Sequence, residues 1–249
     1  MSRSFKPVTL GGQSSRYQLT TDRRRQRRQS AMANRRTIVV QPSEIKAMDV
    51  PFSHQITDAL NNNTNIHLLN GIVVGTDSSR RIGKKIKMKA VRIRGELQLM
   101  YGPTGTPFQM SPQIVRMSLI YDKQPNGNIP IWNEIFNEYQ TDGLAQASFY
   151  SGRNHFNQHR FQVLREEFIE LNPGMLVTYQ DSDQFEPYYK KFVDLYVKIG
   201  RETMYTGTGG ESISNITTGS LLLAIRSNYA VPHTMTKATF STRLTYYDD

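Results

Sequence analysis

The clearest structural pattern in this chain is the stretch from Lys191 to Ile199, KFVDLYVKI. Its odd positions from Val193 onward are aliphatic, whereas its even positions alternate between an aromatic ring and a charged side chain. A period of two is typical of a β-strand that has one face on a hydrophobic core. The segment therefore predicts a β-strand, and similar patterns recur along the rest of the chain.

Segments of this kind occupy much of the chain beyond residue 44. The segment Leu221–Tyr229 differs, because it is almost continuously apolar at its start, which predicts a strand buried on both faces. The last segment alternates between apolar and polar residues from Ala238 to Tyr246. We predict eight strands, at 45–57, 86–100, 114–122, 161–170, 188–200, a weaker one at 203–207 or 213–217, 220–229 and 237–247.

The predicted strand 86–100 contains a change of parity. Ile86 and Met88 share one face, whereas Val91 and Ile93 fall on the other. One extra residue near Lys89–Ala90 would return all four side chains to the core. The sequence therefore predicts a β-bulge at that point.

The clearest helical periodicity follows Pro130, a residue that is favourable in the first turn of a helix. Apolar residues then recur at helical spacing from Trp132 to Tyr139. The connections 58–85, 101–113, 123–160 and 171–187 are long and irregular. We expect an all-β fold, an eight-stranded antiparallel jelly-roll sandwich or a similar Greek-key sandwich, with one short helix.

Basic residues are concentrated at the N-terminus. The chain carries a net charge of +10, and its first 40 residues hold ten Lys or Arg against one acid, Asp22. The remaining 209 residues hold 21 basic and 20 acidic side chains. We therefore expect two parts, a basic arginine-rich arm over 1–40 and a jelly-roll domain over 41–249. The low hydrophobicity of 1–36 predicts that the arm is disordered when free.

The arm is the main candidate for binding nucleic acid. Arginine neutralises phosphate, releases counterions and offers a planar fork to phosphate oxygens. Phe5 and Tyr17 are the arm's aromatic residues, so we expect salt-sensitive contacts with the backbone rather than reading of bases. The cluster Arg23–Arg28 also fits a nuclear import signal. The candidate binding residues are Arg3, Lys6, Arg16, Arg23, Arg24, Arg25, Arg27, Arg28, Arg35 and Arg36.

A second basic cluster comprises Arg80, Arg81, Lys84 and Lys85. The glycines before it have the wrong spacing for a Walker phosphate loop, and Lys85 stands where that motif has Ser or Thr. Contact with nucleic acid, contact with an acidic neighbour and ordinary surface charge all stay open for this cluster.

We expect neither an enzyme nor a cofactor, because no motif combines a nucleophile, a base and an orienting group. The absence of cysteine excludes disulfides and thiolate metal sites. Asp181, Asp183 and Glu186 are close enough in sequence to share a calcium ion, a question that the sequence leaves open. No apolar run approaches the ~20 residues of a membrane span, so membrane insertion is not expected.

Six short segments carry a family resemblance: Gly75-Thr76 with Arg81–Lys84, Met88–Val91, Tyr121–Pro125, Trp132–Phe136, Leu221–Leu223 and Arg243–Asp248. Together with the basic arm, they resemble capsid proteins of small circular single-stranded DNA viruses, nearest to the geminivirus-like branch. Plant members of that branch carry a Cys/His zinc-finger-like element. This chain has no cysteine, so that element is not carried over.

The resemblance implies a jelly-roll subunit that assembles with identical subunits into a closed icosahedral shell. It further implies that the inward-facing arm packages a single-stranded DNA genome and directs nuclear import through a host import receptor. The expected locations are the virion and, during assembly, the host cell nucleus.

Two other interpretations stay open at the level of sequence. One is a monomeric nuclear protein that binds single-stranded nucleic acid, with the β body reading bases and the arm supplying affinity. It predicts exposed aromatic residues on one face of a sheet. The other is the coat protein of a small RNA virus, because an arginine arm does not distinguish RNA from DNA.

Overall fold

The computed structural model describes residues 44–56, 64–101, 112–137, 149–172, 186–207, 211–228 and 234–248. Within these ranges nine strands form two antiparallel sheets. The strands and one short helix are β1 Glu44–Ile56, β2 Ile66–Leu68, β3 Lys85–Tyr101, β4 Gln113–Asp122, α1 Trp132–Ile135, β5 Phe161–Leu171, β6 Glu186–Tyr205, β7 Ile216–Thr218, β8 Ser220–Ser227 and β9 Thr234–Asp248.

The strand order is that of a jelly roll. Sheet A has the order β1-β9-β3-β6-β7, and sheet B has the order β2-β8-β4-β5. If the three-residue β7 is set aside, each sheet contributes four strands, and the first four strands of the chain alternate between the sheets. This arrangement gives the two Greek keys of a jelly roll. The expected fold class is therefore confirmed.

Seven of the eight predicted strands match β1, β3, β4, β5, β6, β8 and β9 to within a few residues, except that β6 runs on to Tyr205. The weaker segment divides, since 203–205 end β6 and 216–218 form β7 after the 3-10 turn Ile213–Asn215. The sequence missed β2, which lies in the predicted connection 58–85. Three residues are too few to display a period of two.

The predicted β-bulge in β3 is confirmed. Against β9, Met88 pairs with Tyr246 and Ala90 pairs with the adjacent Thr245, so Lys89 has no partner there; the register with β6 shifts at the same place. Lys89 is the extra residue, and its side chain is exposed. Ile86, Met88, Val91 and Ile93 are all fully buried, as the change of parity required.

The main core lies between the two sheets and is built largely from β3, β6 and β9 of sheet A and from β4 and β8 of sheet B. A second apolar cluster covers the outer face of sheet B, the face that points away from sheet A. There Trp132 and Phe136 pack with Leu222 and Ala224 of β8. Every residue of β8 is therefore buried, which confirms the prediction made from its continuous apolar run.

The helix α1 is shorter than the predicted segment, because Phe136 already has extended backbone and forms an isolated bridge with Arg153. Trp132, Ile135 and Phe136 are buried, as their spacing predicted. Tyr139, the last residue of the predicted pattern, lies outside the described residues.

Arg116 of β4 is buried beneath this cover on the outer face of sheet B. Its Nε and Nη2 donate to Oε1 of Glu166 at 2.9 and 2.7 Å, and its Nη1 donates to the carbonyl oxygen of Phe149 at 2.8 Å. The guanidinium also lies 3.9 Å from the ring centroid of Phe136. Burial lowers the pKa of Arg116, and the bonds to Glu166 oppose that shift.

Candidate nucleic-acid interface

The ten basic residues of the arm lie outside the described residues. The same holds for Asp181, Asp183 and the side chain of Glu186. The nucleic-acid site in the arm, the division at residue 40 and the question of calcium therefore stay predictions.

Arg81 of the second basic cluster is fully buried. Its Nε donates to the carbonyl of Ile72 at 3.1 Å, and its Nη1 and Nη2 donate to the carbonyls of Gly83 and Gly207, both at 2.6 Å. Its guanidinium lies 4.0 Å from the ring centroid of Tyr205, and burial lowers its pKa. A guanidinium held in this way cannot reach a phosphate, so the candidate assignment is wrong for Arg81, which fastens its loop to β6.

The other three members of that cluster have separate surroundings. Arg80 is exposed, with its Nε 3.2 Å from Asp77, and Lys84 is exposed as well. Lys85 begins β3 and lies 2.9 Å from a carboxylate oxygen of Glu202. Their contact with nucleic acid stays a prediction.

The carboxylate of Asp248 fixes the loop that precedes β3. It accepts hydrogen bonds from Lys46 Nζ at 2.8 Å, from the backbone N–H of Ile82 at 2.7 Å and from that of Gly83 at 3.4 Å. Burial alone would raise the pKa of Asp248, but these bonds outweigh it and lower the pKa below its ordinary value. The start of β3 is thus held against both β1 and β9.

The outer face of sheet A, the face that points away from sheet B, carries a surplus of basic side chains. Its acidic residues among the described ones are Asp49, Glu96, Asp194 and Glu202. Nine basic residues stand against these four acidic ones, a surplus of five positive charges. Residues 41–249 as a whole have a surplus of only one positive charge. The nine basic residues are Lys85, Lys87, Lys89, Arg92, Arg94, Lys190, Lys198, Lys237 and Arg243.

The arginines of this face form ion pairs with carboxylates that are exposed to solvent. Arg92 donates from Nε and Nη2 to the two oxygens of Asp194 at 2.9 and 2.7 Å, and Arg243 binds Asp49 in the same two-pronged way at 2.7 Å for both bonds. The Nε of Arg94 lies 3.3 Å from Asp194. These hydrogen bonds lower the pKa values of Asp194 and Asp49, so both stay ionised. A hollow of about 360 Å³ is lined by Asp49, Arg92, Arg94, Ser241 and Arg243.

Four lysines of the face have no carboxylate within salt-bridge distance among the described residues: Lys87, Lys89, Lys198 and Lys237. Lys89 is the bulged residue of β3, and its Nζ lies 5.6 Å from the ring centroid of Tyr247. These ammonium groups are available to an anionic partner.

Two large aromatic side chains stand among these charges. Phe192 is 67% exposed and Tyr196 is 57% exposed, both on β6. Phe192 lies opposite Glu96, and Tyr196 lies opposite Arg92. Neither ring was predicted to be functional. The sequence pattern that could have indicated them is the alternation of rings and charges at the even positions of Lys191–Ile199.

This arrangement can bind an anionic ligand through ammonium and guanidinium groups and can offer ring faces beside them. Among the described residues, no group of three or more His, Cys, Asp or Glu is placed to hold a metal ion. In the same part of the chain, no helix has the length and apolar character needed to cross a membrane.

Comparison with solved structures finds a likeness to one described as the crystal structure of the 60-mer BFDV capsid protein. The likeness covers 83% of this chain and 95% of that chain, at 10% sequence identity and a TM-score of 0.29. No curated protein sequence matches the chain.

The family model of the geminivirus coat protein/nuclear export factor BR1 family matches residues 2–249. The match includes both the arginine-rich segment and the jelly-roll body. It confirms the resemblance to capsid proteins of circular single-stranded DNA viruses that the short segments indicated. The chain therefore belongs to the geminivirus coat protein/nuclear export factor BR1 family.

Proposed function

We propose that this chain is a coat subunit that assembles with identical copies into a closed icosahedral shell and packages single-stranded DNA through its arginine-rich arm. Membership of a coat-protein family supports a structural role and a place in the virion. The same arm serves as a nuclear import signal in this proposal.

The observation that carries the proposal is the separation of charge along the chain. Nine of the ten surplus positive charges precede residue 41, and the remainder of the chain is nearly neutral. A neutral jelly roll can pack against copies of itself without strong repulsion, while a separate cationic segment binds the polyanion. The two tasks need opposite electrostatics, and the sequence keeps them apart.

The mechanism is multivalent electrostatics. A single arm with about nine charges binds a single strand with a salt slope near −6, from a slope of roughly 0.7 per neutralised phosphate. A closed shell presents many arms to one genome, so that each further contact forms at high effective concentration. Weak individual binding then gives stable packaging.

Electron microscopy of the purified full-length chain, followed by nuclease digestion of the particle contents, tests the proposal. Closed particles whose contents resist RNase and yield to DNase after disruption are expected. Contents that RNase digests would favour the coat of an RNA virus. A chain that stays monomeric at high concentration would contradict assembly.

A charge variant of the arm tests the binding segment. In the quintuple variant R23Q/R24Q/R25Q/R27Q/R28Q we expect the salt slope for a single-stranded oligonucleotide to fall from about −6 to about −3. The matched control R3Q/K6Q/R16Q/R35Q/R36Q removes five charges outside the cluster. We expect the same loss of slope in this control, because the slope depends on the number of charges. An unchanged slope in both variants would contradict binding by the arm, and a larger loss in the quintuple cluster variant would assign most of the contacts to Arg23–Arg28.

The same two variants, fused to a fluorescent protein, test nuclear import. The cluster variant is expected to remain in the cytoplasm, because short runs of basic residues are what import receptors bind. The control variant keeps the cluster and is expected to enter the nucleus. Nuclear entry of both would contradict this part of the proposal.

A second candidate function is a monomeric nuclear protein that binds single-stranded nucleic acid. The exposed rings of Phe192 and Tyr196 on one sheet face favour it, because that interpretation predicts such aromatics. The family description, which includes a nuclear export factor, is compatible with it. Light scattering separates the two candidates, since this one requires a particle of 28.6 kDa.

A further inference from the structure

We propose that the outer face of sheet A is a second site for single-stranded DNA, at which bases stack on Phe192 and Tyr196 while the surrounding arginines and lysines bind phosphates. The inference rests on the nucleic-acid-binding part of the proposed function. It differs from that part because it places a base-contacting surface on the folded body, far from the arm in sequence.

The electrostatics of the face favour a polyanion. Among the described residues, nine basic side chains face outward there against four carboxylates, a surplus of five in a body whose whole net charge is +1. All four carboxylates lie within salt-bridge distance of a basic side chain, namely Arg92, Arg243, Lys85 or Lys190, so they repel a phosphate chain weakly. Ammonium groups without such partners lie on both sides of the paired arginines.

The hollow beside Ser241 places three of these positive charges around one concave site. Arg92, Arg94 and Arg243 line it together. Hydrogen bonds to Asp194 hold the plane of Arg92, and hydrogen bonds to Asp49 hold the plane of Arg243. A guanidinium whose plane is already fixed loses less side-chain entropy when it meets a phosphate. The hollow is therefore the position on this face that is best prepared for a phosphate group.

The aromatic residues distinguish nucleic acid from a simple polyanion. Tyr196 lies directly across from Arg92, so one of the rings adjoins the arginines of the hollow. Phe192 and Tyr196 are four residues apart on one strand, which sets their rings about 13 Å apart on the same face. Single strands bind to a cationic groove with ring faces on which any base can stack. The spacing offers stacking surfaces to two separated bases of one extended strand.

A protein partner fits this face less well. The two rings are separated by Asp194 and bordered by Arg92, Arg94 and Lys198, so they do not form a continuous apolar patch. The cores of protein interfaces are depleted of charged residues. An extended strand with alternating phosphates and bases matches alternating charges and rings. The orientation follows, since a face that binds the packaged strand must point into the shell.

Binding of two 20-nucleotide probes by the full-length chain tests the inference: oligo(dT), and an abasic strand with the same phosphates. The variant is F192A/Y196A, and its matched control is Y150A/F156A, which removes one exposed Tyr and one exposed Phe outside sheet A. All four side chains are exposed, so the folded core is not opened. Each variant also keeps every charge.

We expect the wild type and the control to prefer oligo(dT), and F192A/Y196A to lose roughly tenfold in oligo(dT) affinity for each ring removed. Its affinity for the abasic strand and its salt slope should not change, because no charge has been removed. Ultraviolet cross-linking of oligo(dT) should label the peptide that contains β6 in the wild type.

Other outcomes overturn the inference in distinguishable ways. Equal binding of both probes by the wild type, with no effect of F192A/Y196A, leaves the arm proposal intact and removes the stacking site. Loss of particles without loss of oligo(dT) binding assigns the face to contact between subunits. Failure of the wild type to bind either probe contradicts the proposed function itself.

Discussion

The outer faces of the two sheets differ in what covers them. On sheet A, Arg92 and Arg243 bind carboxylates at the surface, with no loop of the described chain over them. On sheet B, Trp132 and Phe136 close over the strands, and Arg116 is buried beneath them. Within the part of the chain that the structure describes, the jelly roll therefore has one uncovered, charged face and one covered face.

Arginine has a different role on each of the two faces. The hydrogen bonds that Arg92 donates to Asp194 raise the pKa of Arg92, whereas burial lowers the pKa of Arg116. Arg92 lies in water, so a ligand can still reach its guanidinium. The guanidinium of Arg116 already donates hydrogen bonds to Glu166 and to the carbonyl oxygen of Phe149, so it is not available to a ligand. The number of arginines in a sequence therefore does not predict ligand binding unless it is also known which of them are buried.

Removing the cover of sheet B should have the largest effect. We expect Trp132→Ala to lower the free energy of unfolding by about 3–5 kcal/mol, because a large buried ring is replaced by a cavity. Phe192→Ala removes an exposed ring from sheet A and should cost less than about 0.5 kcal/mol. Urea denaturation of both variants measures the contrast, and similar losses would refute it.

Breaking the covered ion pair should have the next largest effect. Glu166→Gln leaves the buried guanidinium of Arg116 without its carboxylate, and we expect a loss of about 2 kcal/mol. Arg116→Met removes the charge and keeps much of the bulk, so the double variant with Glu166→Gln should recover part of that loss. A double variant no more stable than Glu166→Gln would show that the charge is not the cause.

The seam between the sheets should respond to acid. His67 of β2 stacks on Phe52 of β1 at 4.7 Å between centroids, with the ring of His54 at 5.0 Å. Burial, and then the charge of His54, lower the pKa of His67 from 6.5 to about 4. As the pH falls, His67 is therefore protonated near pH 6.5 in the unfolded chain but only near pH 4 in the folded chain. The free energy of unfolding decreases as the pH falls from about 6.5 to about 4.

His67→Phe keeps a ring on Phe52 and removes the titration. Between pH 7 and pH 5 we expect the wild type to lose about 1–2 kcal/mol more stability than this variant, with allowance for partial solvent screening. Denaturation at several pH values gives both profiles. Parallel profiles would contradict a contribution from His67.

The smallest effect is expected on the uncovered face. Asp194→Asn breaks the surface pair with Arg92 and should change stability by less than about 1 kcal/mol, less still in high salt. It also frees Arg92 and Arg94, so affinity for a single strand should rise at low salt. Reduced affinity would show that the positioning of Arg92 by Asp194 matters more than the charge removed.

The sequence predicted the fold well where side-chain period is the signal. The change of parity between Met88 and Val91 gave the bulge, because the core must receive both residues whatever the backbone does between them. The apolar run from Leu221 gave burial on both faces, although the sequence did not say that α1 supplies the second cover.

The sequence misled where burial depends on distant partners. Arg81 stands in a run of basic residues and reads as surface charge. The carbonyl of Gly207 and the ring of Tyr205, which make its burial possible, lie more than 120 residues away. The site proposed on sheet A could not be predicted from the sequence for a related reason. An alternating strand does not tell which of its charges a neighbouring strand neutralises.

The place of β9 bears on how the chain is made. β9 lies between β1 and β3, so Glu44 at the start of β1 is paired with Asp248 near the end of β9. A ribosome that has translated β1 must finish residues 234–248 before the strand finds its neighbour in sheet A. Contacts between such distant segments close slowly. β1 therefore stays without its sheet neighbour through most of translation, and its pairing with β9 is one of the last steps in completing sheet A.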